Sequence, residues 1–431
     1  MITPWSPPVT ASTESRPGNN NFLTFPTSCA APQPQPEEPV RVVPLAVAGV
    51  LSVGLTWFVW ASYGAKFGVL LILGLLLGLA LFHSRFGFTS AWRQLIAVGN
   101  GQGLRAHALL LGTTATLVAL IASTGVGLFG SKPAATASPI GLALFVGATL
   151  FAIGMQLGGA CASGTLFAVG SGQSTIVLTL GGFITGSVLY TWGYPLFTGW
   201  PQVNGFLLAT HVGWFGSWAI TIAVLLGIVL LTRVIQARRN PPPVDVVPTA
   251  RGFARVFRGS WPVLVGAVVL AVFAAAVFLV SGSTWGVTSA FALWGAKFLQ
   301  LLGLHPETWE FWRTTANAKA LASPIWTDKT SLTDIGIMIG AGVAAAAAGS
   351  WKIHSQIPWR TALAAVLGGI LMGVGARLAG GCNIGAYLAG ISVGSLQGWL
   401  WGVFALGGTW IGLKLRPVFG LGNPVPTDSI C

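Results

Sequence analysis

An all-α, polytopic membrane fold is the class this sequence predicts, and three observations predict it. Charge is scarce: Asp, Glu, Lys and Arg make up 7% of 431 residues, against 53% apolar residues and a mean hydropathy of +0.76. Soluble domains carry roughly 25% charged residues. The shortage is also concentrated, because no Lys, Arg, Asp or Glu occurs from Pro133 to Thr232. Soluble helices need a polar face; helices in lipid do not. Third, apolar runs of the length needed to cross a bilayer, about 20 residues, recur along the chain. The 19 Trp suit the membrane–water interface, and the 59 Gly suit close helix packing and broken helices in lipid.

In chain order, residues 1–40 are rich in Pro, Ser, Thr and Asn. They lack an apolar core behind a basic head, so the expectation is a disordered cytoplasmic tail and no cleavable signal peptide. About ten transmembrane helices follow, at 42–60, 67–83, 106–123, 139–157, 174–191, 217–232, 261–280, 334–350, 361–378 and 396–413. Four shorter apolar, glycine-containing pieces at 86–100, 158–173, 285–302 and 379–394 read as re-entrant half-helices.

Six arginines (Arg233, Arg238, Arg239, Arg251, Arg255 and Arg258) crowd one connection. The positive-inside rule makes that a cytoplasmic loop. Counting outward from it places Arg41, the 84–105 connection, the Lys352–Arg360 loop, Lys414 and Arg416 on the same side. Both termini are then cytoplasmic. The basic loop lacks the interleaved aromatics of single-strand binders, so no nucleic-acid partner is expected.

Two elements occur twice in the same order. Phe86-Gly87-Phe88-Thr89-Ser90-Ala91-Trp92 matches Trp285-Gly286-Val287-Thr288-Ser289-Ala290-Phe291. GMQLGGACASGTLFA from Gly154 matches GARLAGGCNIGAYLA from Gly375 and superposes Cys161 on Cys382. Five spans separate 67–83 from its counterpart 261–280, and an odd number reverses direction. The halves are therefore an inverted internal repeat, which places a site at the repeat interface near mid-membrane. The expected organisation is a tail (1–40), a first repeat half with flanking spans (41–235), a basic cytoplasmic loop (236–260), a second half (261–416) with an external polar insertion at 303–331, and a C-terminal tail (417–431).

Each repeated cysteine follows glycines (Gly159, Gly381) and precedes another, which permits a helix to break and restart. A restarting helix offers free N–H groups and a positive dipole end to an anion. A thiol is a weak donor and a polarisable contact, suited to a soft, sulfur-bearing anion. Either cysteine alone is equally a small packing residue; it is the recurrence that points to function. Arg377, the one charge between Thr361 and Leu413, is placed to hold an anion or to snorkel outward, and Gln156 is its repeat mate. Ser163 and Asn383 add polar groups beside the cysteines. The substrate path is thus assigned to Cys161, Cys382, Ser163, Asn383, Gln156, Arg377, Gly159 and Gly381.

Of nine acidic residues only Asp334 touches a predicted span, at its end. A carboxylate proton relay, carboxylate acid–base catalysis and a carboxylate metal site therefore lack candidates. With no P-loop and no CxxC, ATP hydrolysis and a thioredoxin-like pair lack support. No catalytic residue, metal ligand or cofactor is assigned, and the chain is read as a transporter rather than an enzyme.

GGACASGT at 158–165 and GARLAGGCNIG at 375–385, with RFGFTSAW and WGVTSAF, resemble the YeeE/YedE sulfur-transport family over roughly 45–415. The resemblance implies a multi-pass protein of the bacterial inner membrane that takes up thiosulfate through a cysteine-lined, hourglass-shaped path. It also implies cooperation with a small cytosolic sulfur-carrier protein. Relatives implied to handle selenium compounds supply one alternative, a membrane thiol or sulfur-transfer enzyme a second, and an accessory subunit a third. Many members carry a further cysteine where this chain has Gly87, a departure that bears on thiosulfate specifically.

Overall fold

The computed structural model describes residues 38–241, 252–353 and 356–424. Most of the expected N-terminal tail, with Cys29, lies outside the described residues. So do the middle of the basic loop, with Asp245 and Arg251, and the end of the C-terminal tail, with Cys431.

The described chain is almost entirely helical; a two-residue antiparallel pairing of Ile140–Gly141 with Gln202–Val203 is the exception among named strands. The long helices are α1 (Val42–Tyr63), α2 (Ala65–Ser84), α4 (Gln102–Thr124), α5 (Leu142–Leu157), α7 (Ser174–Trp192), α8 (Ala209–Arg239), α10 (Val263–Ser281), α14 (Lys329–Ala347), α15 (Trp359–Leu378) and α17 (Leu396–Leu415). Between them lie the short helices α3 (Phe88–Val98), α6 (Ala162–Gly170), α9 (Ala254–Arg258), α11 (Thr288–Leu301), α12 (Glu310–Arg313), α13 (Thr315–Ala322) and α16 (Ala389–Ser392). A π-helical turn, Asn383–Leu388, runs directly into α16.

Nine helices among the described residues are long and apolar enough to cross a membrane. The tenth expected span, 396–413, is the 20-residue α17, whose Gln397, three Trp and five Gly lower its hydropathy. This is the predicted polytopic membrane architecture. The four short segments form where expected. With 11 residues in α3 and 9 in α6, at 1.5 Å per residue, they reach only about 14–17 Å, half of a ~30 Å hydrocarbon core.

Helix contacts obey the repeat. Helix α15 packs on α7 as α5 packs on α17, and α14 packs on α2 as α4 packs on α10. The pairs α5–α15 and α2–α10 join the halves across the centre. Glycine makes these crossings close. A Cβ at Gly182 or Gly186 of α7 would run into the carbonyl oxygens of Val366 or Ile370 on α15, and one at Gly147 would meet Gly375 and Leu378. Without a hydrophobic drive between helices in lipid, such backbone approach supplies the packing energy.

The polar insertion at 303–331 has local structure of its own. It folds into helical turns that bury Trp312 and Leu321 against Ala292, Leu293 and Ala296 of α11. Its polar composition hid two apolar anchors. The basic connection is also partly helical: α8 continues through Arg239, and α9 carries Arg255 and Arg258.

Candidate functional site

Cys161 and Cys382 occupy equivalent places. Each is the residue that caps the start of a short helix and has extended backbone angles (φ −81°, ψ −176° and φ −103°, ψ −164°). Each is reached through a glycine with positive φ: Gly159 at +84°, Gly380 at +73° and Gly381 at +149°. Only glycine adopts such angles cheaply, so these residues break the helix and turn the chain. Gly158 N–H still closes onto Gly154 O at 2.7 Å, and Thr179 Oγ1 donates to Gly158 O at 3.0 Å, which pins the break. On the other side Trp401 Nε1 donates to Gly381 O at 3.2 Å and Gln397 Nε2 to Ala379 O at 2.9 Å.

The helices that restart after the two cysteines touch one another. Both thiols are buried in one continuous apolar core and lie within electrostatic reach of each other. Backbone amides of Gly164 and Phe88 face the Cys161 sulfur; those of Ile384 and Gly385 face the Cys382 sulfur. Because the first N–H groups of a helix have no partner within it, each sulfur sits among donors. Ser163 adds its hydroxyl, 3.6 Å from Cys161 Sγ. Phe88, whose amide faces Cys161, directly follows Gly87, and Gly286, the repeat mate of Gly87, lies against Gly385. The first repeated element thus packs on the second in both halves.

The polar residues flanking the cysteines keep the same symmetry. Arg377 Nη2 donates to Thr288 Oγ1 at 3.0 Å, while its repeat mate Gln156 donates through Nε2 to the carbonyl of Thr89 at 3.3 Å. Thr89 and Thr288 are themselves mates. The Arg377 guanidinium lies within electrostatic reach of Cys382 and Tyr190, and its buried Nε has no partner among the described residues. Asn383 is fully buried, and both its amide oxygen and its amide nitrogen lack a partner among the described residues.

Three site residues escaped sequence reasoning. Arg93 Nε donates to Gln156 Oε1 at 3.0 Å, and Arg416 donates to the Gln156 carbonyl. Two guanidinium groups therefore converge on Gln156 and lie within electrostatic reach of each other. The sequence alone reads both as charges of a cytoplasmic face, and no spacing rule links residues 63 and 260 positions from Gln156. The third is Asp334. It lies in the second turn of α14, fully buried, with neither carboxyl oxygen bonded among the described residues. It also lies within electrostatic reach of Cys382. In the structure this carboxyl is buried among the helices. From sequence, Asp334 sat at the soft edge of an apolar run.

The two ends of the site are unequal. Beyond α6 a cavity of about 500 Å³ is lined by Arg85, Phe167, Ser171, Gln173 and Lys352. At the equivalent end, Thr284, Leu388 and Ser392, the repeat mates of Arg85, Phe167 and Ser171, line a void of only about 10 Å³. Arg85 and Lys352 bring positive charge to the larger cavity, and Glu38 lies 3.9 Å from Lys352.

This chain is 28% identical to the thiosulfate transporter TsuA of Spirochaeta thermophila over 79% of its own length and 96% of that protein. It is also 28% identical to the Escherichia coli protein of that name, over 79% of this chain and 92% of the relative. A probable transporter, YedE of Escherichia coli, is 33% identical across 40% of this chain and 44% of its own length. Residues 83–411, which include both cysteine segments and both copies of the first element, match the family described as Sulphur transport. On that match the chain belongs to the Sulphur transport family.

Proposed function

We propose that this protein transports a small sulfur-containing anion, thiosulfate first among them, between Cys161 and Cys382. The observation that supports this reading is a pair of symmetry-related buried cysteines, each at the start of a restarting helix and faced by backbone donors, whose two helices touch. Backbone N–H groups, the positive dipole ends and Arg377 favour an anion. The polarisable thiols favour sulfur over strongly hydrated oxygen. Gln156 with Arg93 and Arg416 receives the anion at one end; Asn383 and Arg377 hold it at the other. Glycine at 159 and 381 keeps the cysteine turns free of side chains. The names of the TsuA relatives support thiosulfate.

The protein sits in the bacterial inner membrane with both termini cytoplasmic. The wide end then opens to the cytoplasm, where a small sulfur-carrier protein collects the product. Reconstitution into liposomes with labelled thiosulfate, sulfate and selenite in parallel tests the assignment. Thiosulfate is expected to enter fastest, and Cys161→Ala or Cys382→Ala to reduce entry at least tenfold while insertion and thermal unfolding stay unchanged. Preference for sulfate, or Ala variants with full flux, would remove the reading.

A further inference from the structure

We propose that the groove between α4, α8 and α10 binds an anionic phospholipid, with its phosphate on Arg105 and Arg233 and one acyl chain lying along the groove. No residue of the cysteine path lines this groove, so its test does not depend on what is transported.

Helix α4 packs against both α8 and α10 and floors a cavity of about 790 Å³. Its walls are mostly apolar, with Leu109, Leu117, Ile222, Leu226, Val229 and Leu264 among them. Leu109, Leu226 and Leu264 are exposed, so the groove opens sideways toward lipid. Leu117 lies about 18 Å along α4 from Arg105 at 1.5 Å per residue, roughly the depth of one leaflet of a ~30 Å core. Charge is confined to one end, where Arg105 in the first turn of α4 meets Arg233 near the end of α8. The two guanidinium groups lie within electrostatic reach of each other. Arg105 Nη2 donates to Gln236 Oε1 at 2.9 Å, a neutral amide. Its buried Nη1 has no partner among the described residues. Neither arginine pairs with a carboxylate among those residues.

Two neighbouring cations at the edge of a low-dielectric region repel each other, and a buried charged donor without an acceptor is unfavourable. A phosphodiester removes both penalties, because its oxygens accept the forked donors of a guanidinium. A soluble anion would satisfy the arginines and leave the apolar walls bare. An uncharged lipid would cover the walls and leave the arginines uncompensated. A phospholipid of net negative charge does both at once. Basic pockets between spanning helices at the cytoplasmic face recognise such headgroups, and the positive-inside rule puts this arginine-bearing end in the inner leaflet.

Native mass spectrometry and thermal unfolding of the delipidated protein in detergent test this. The probes are dioleoyl phosphatidylglycerol, dioleoyl phosphatidylcholine and inorganic phosphate. Phosphatidylglycerol should bind about tenfold or more tightly than phosphatidylcholine and raise the unfolding midpoint; inorganic phosphate at equal concentration should do neither. Arg105→Gln with Arg233→Gln should weaken phosphatidylglycerol about thirtyfold, about fivefold for each arginine. Val229→Trp, which fills the groove and keeps both arginines, should weaken it as well. Arg238→Gln with Arg360→Gln removes the same charge from exposed positions outside the groove. That pair should change affinity by less than about twofold, since distant surface charges are screened. If the first double variant unfolds before lipid is added, Arg233→Gln alone, at an exposed position, carries the same test at about fivefold. Equal affinity for the two lipids, or equal losses in the two double variants, would overturn the proposal in favour of diffuse surface charge. Stabilisation by inorganic phosphate matching that by phosphatidylglycerol would make this a soluble-anion site and overturn it too.

Discussion

Asn383 carries two polar atoms that are buried and bonded to no described residue. Its repeat mate is Ala162, so the amide is no requirement of the fold at this position. A buried polar group without a partner costs about 1–3 kcal/mol; an anion seated at Cys382 would be the partner that offsets it. Asn383→Ala should therefore leave the unfolding temperature unchanged or slightly raised. Thiosulfate uptake should fall about tenfold or more, since a hydrogen bond to a charged group contributes about 1.5–3 kcal/mol. Thermal unfolding and uptake on the same preparation check both halves, and a variant that loses stability in step with flux would make Asn383 a packing residue. The cysteines, Gln156 and Arg377 were legible before any fold was known, because duplication superposes them. Arg93, Arg416 and Asp334 were not, because they lie outside the two duplicated motifs and reach the site from segments distant in sequence.

At the scale of elements, neighbouring glycines separate packing from composition. On α7, Gly182 abuts the Val366 carbonyl of α15, whereas a Cβ at Gly181 would meet nothing within 4 Å. Gly182→Ala should destabilise by about 1–3 kcal/mol through forced separation of the helices. Gly181→Ala should be neutral or stabilise by about 0.5–1 kcal/mol, as expected when a helix-interior glycine is replaced. Denaturation of the two purified variants in the same detergent reads the difference directly; equal stabilities would refute the close-crossing account. The short helices were visible in the sequence as apolar pieces of insufficient length. The helical fold of the 303–331 insertion was not, because Trp312 and Leu321 become anchors only once α11 offers a surface.

For the molecule as a whole, the repeat makes the two ends equivalent in sequence, yet one holds a cavity of about 500 Å³ and the other about 10 Å³. The mates themselves differ, with Arg85 opposite Thr284, and the insertion is present in one half only. If the halves are inverted about the membrane plane, Thr308 in the insertion and Ser350 near the wide cavity face opposite compartments. In a background lacking the native cysteines, Thr308→Cys should react with a membrane-impermeant maleimide on intact cells, and Ser350→Cys only after the membrane is opened. Labelling of both from one side would reverse the assigned topology.

What the amino-acid order determined by itself is membrane residence, span length, the doubled motif and its pair of cysteines. Each depends on composition or periodicity, which a chain possesses before it folds. Tertiary structure alone decided which residues meet: two arginines on Gln156 and Arg377 on Thr288. Such contacts join residues tens to hundreds of positions apart, and their formation depends on helix crossings whose closeness is set by glycine against backbone.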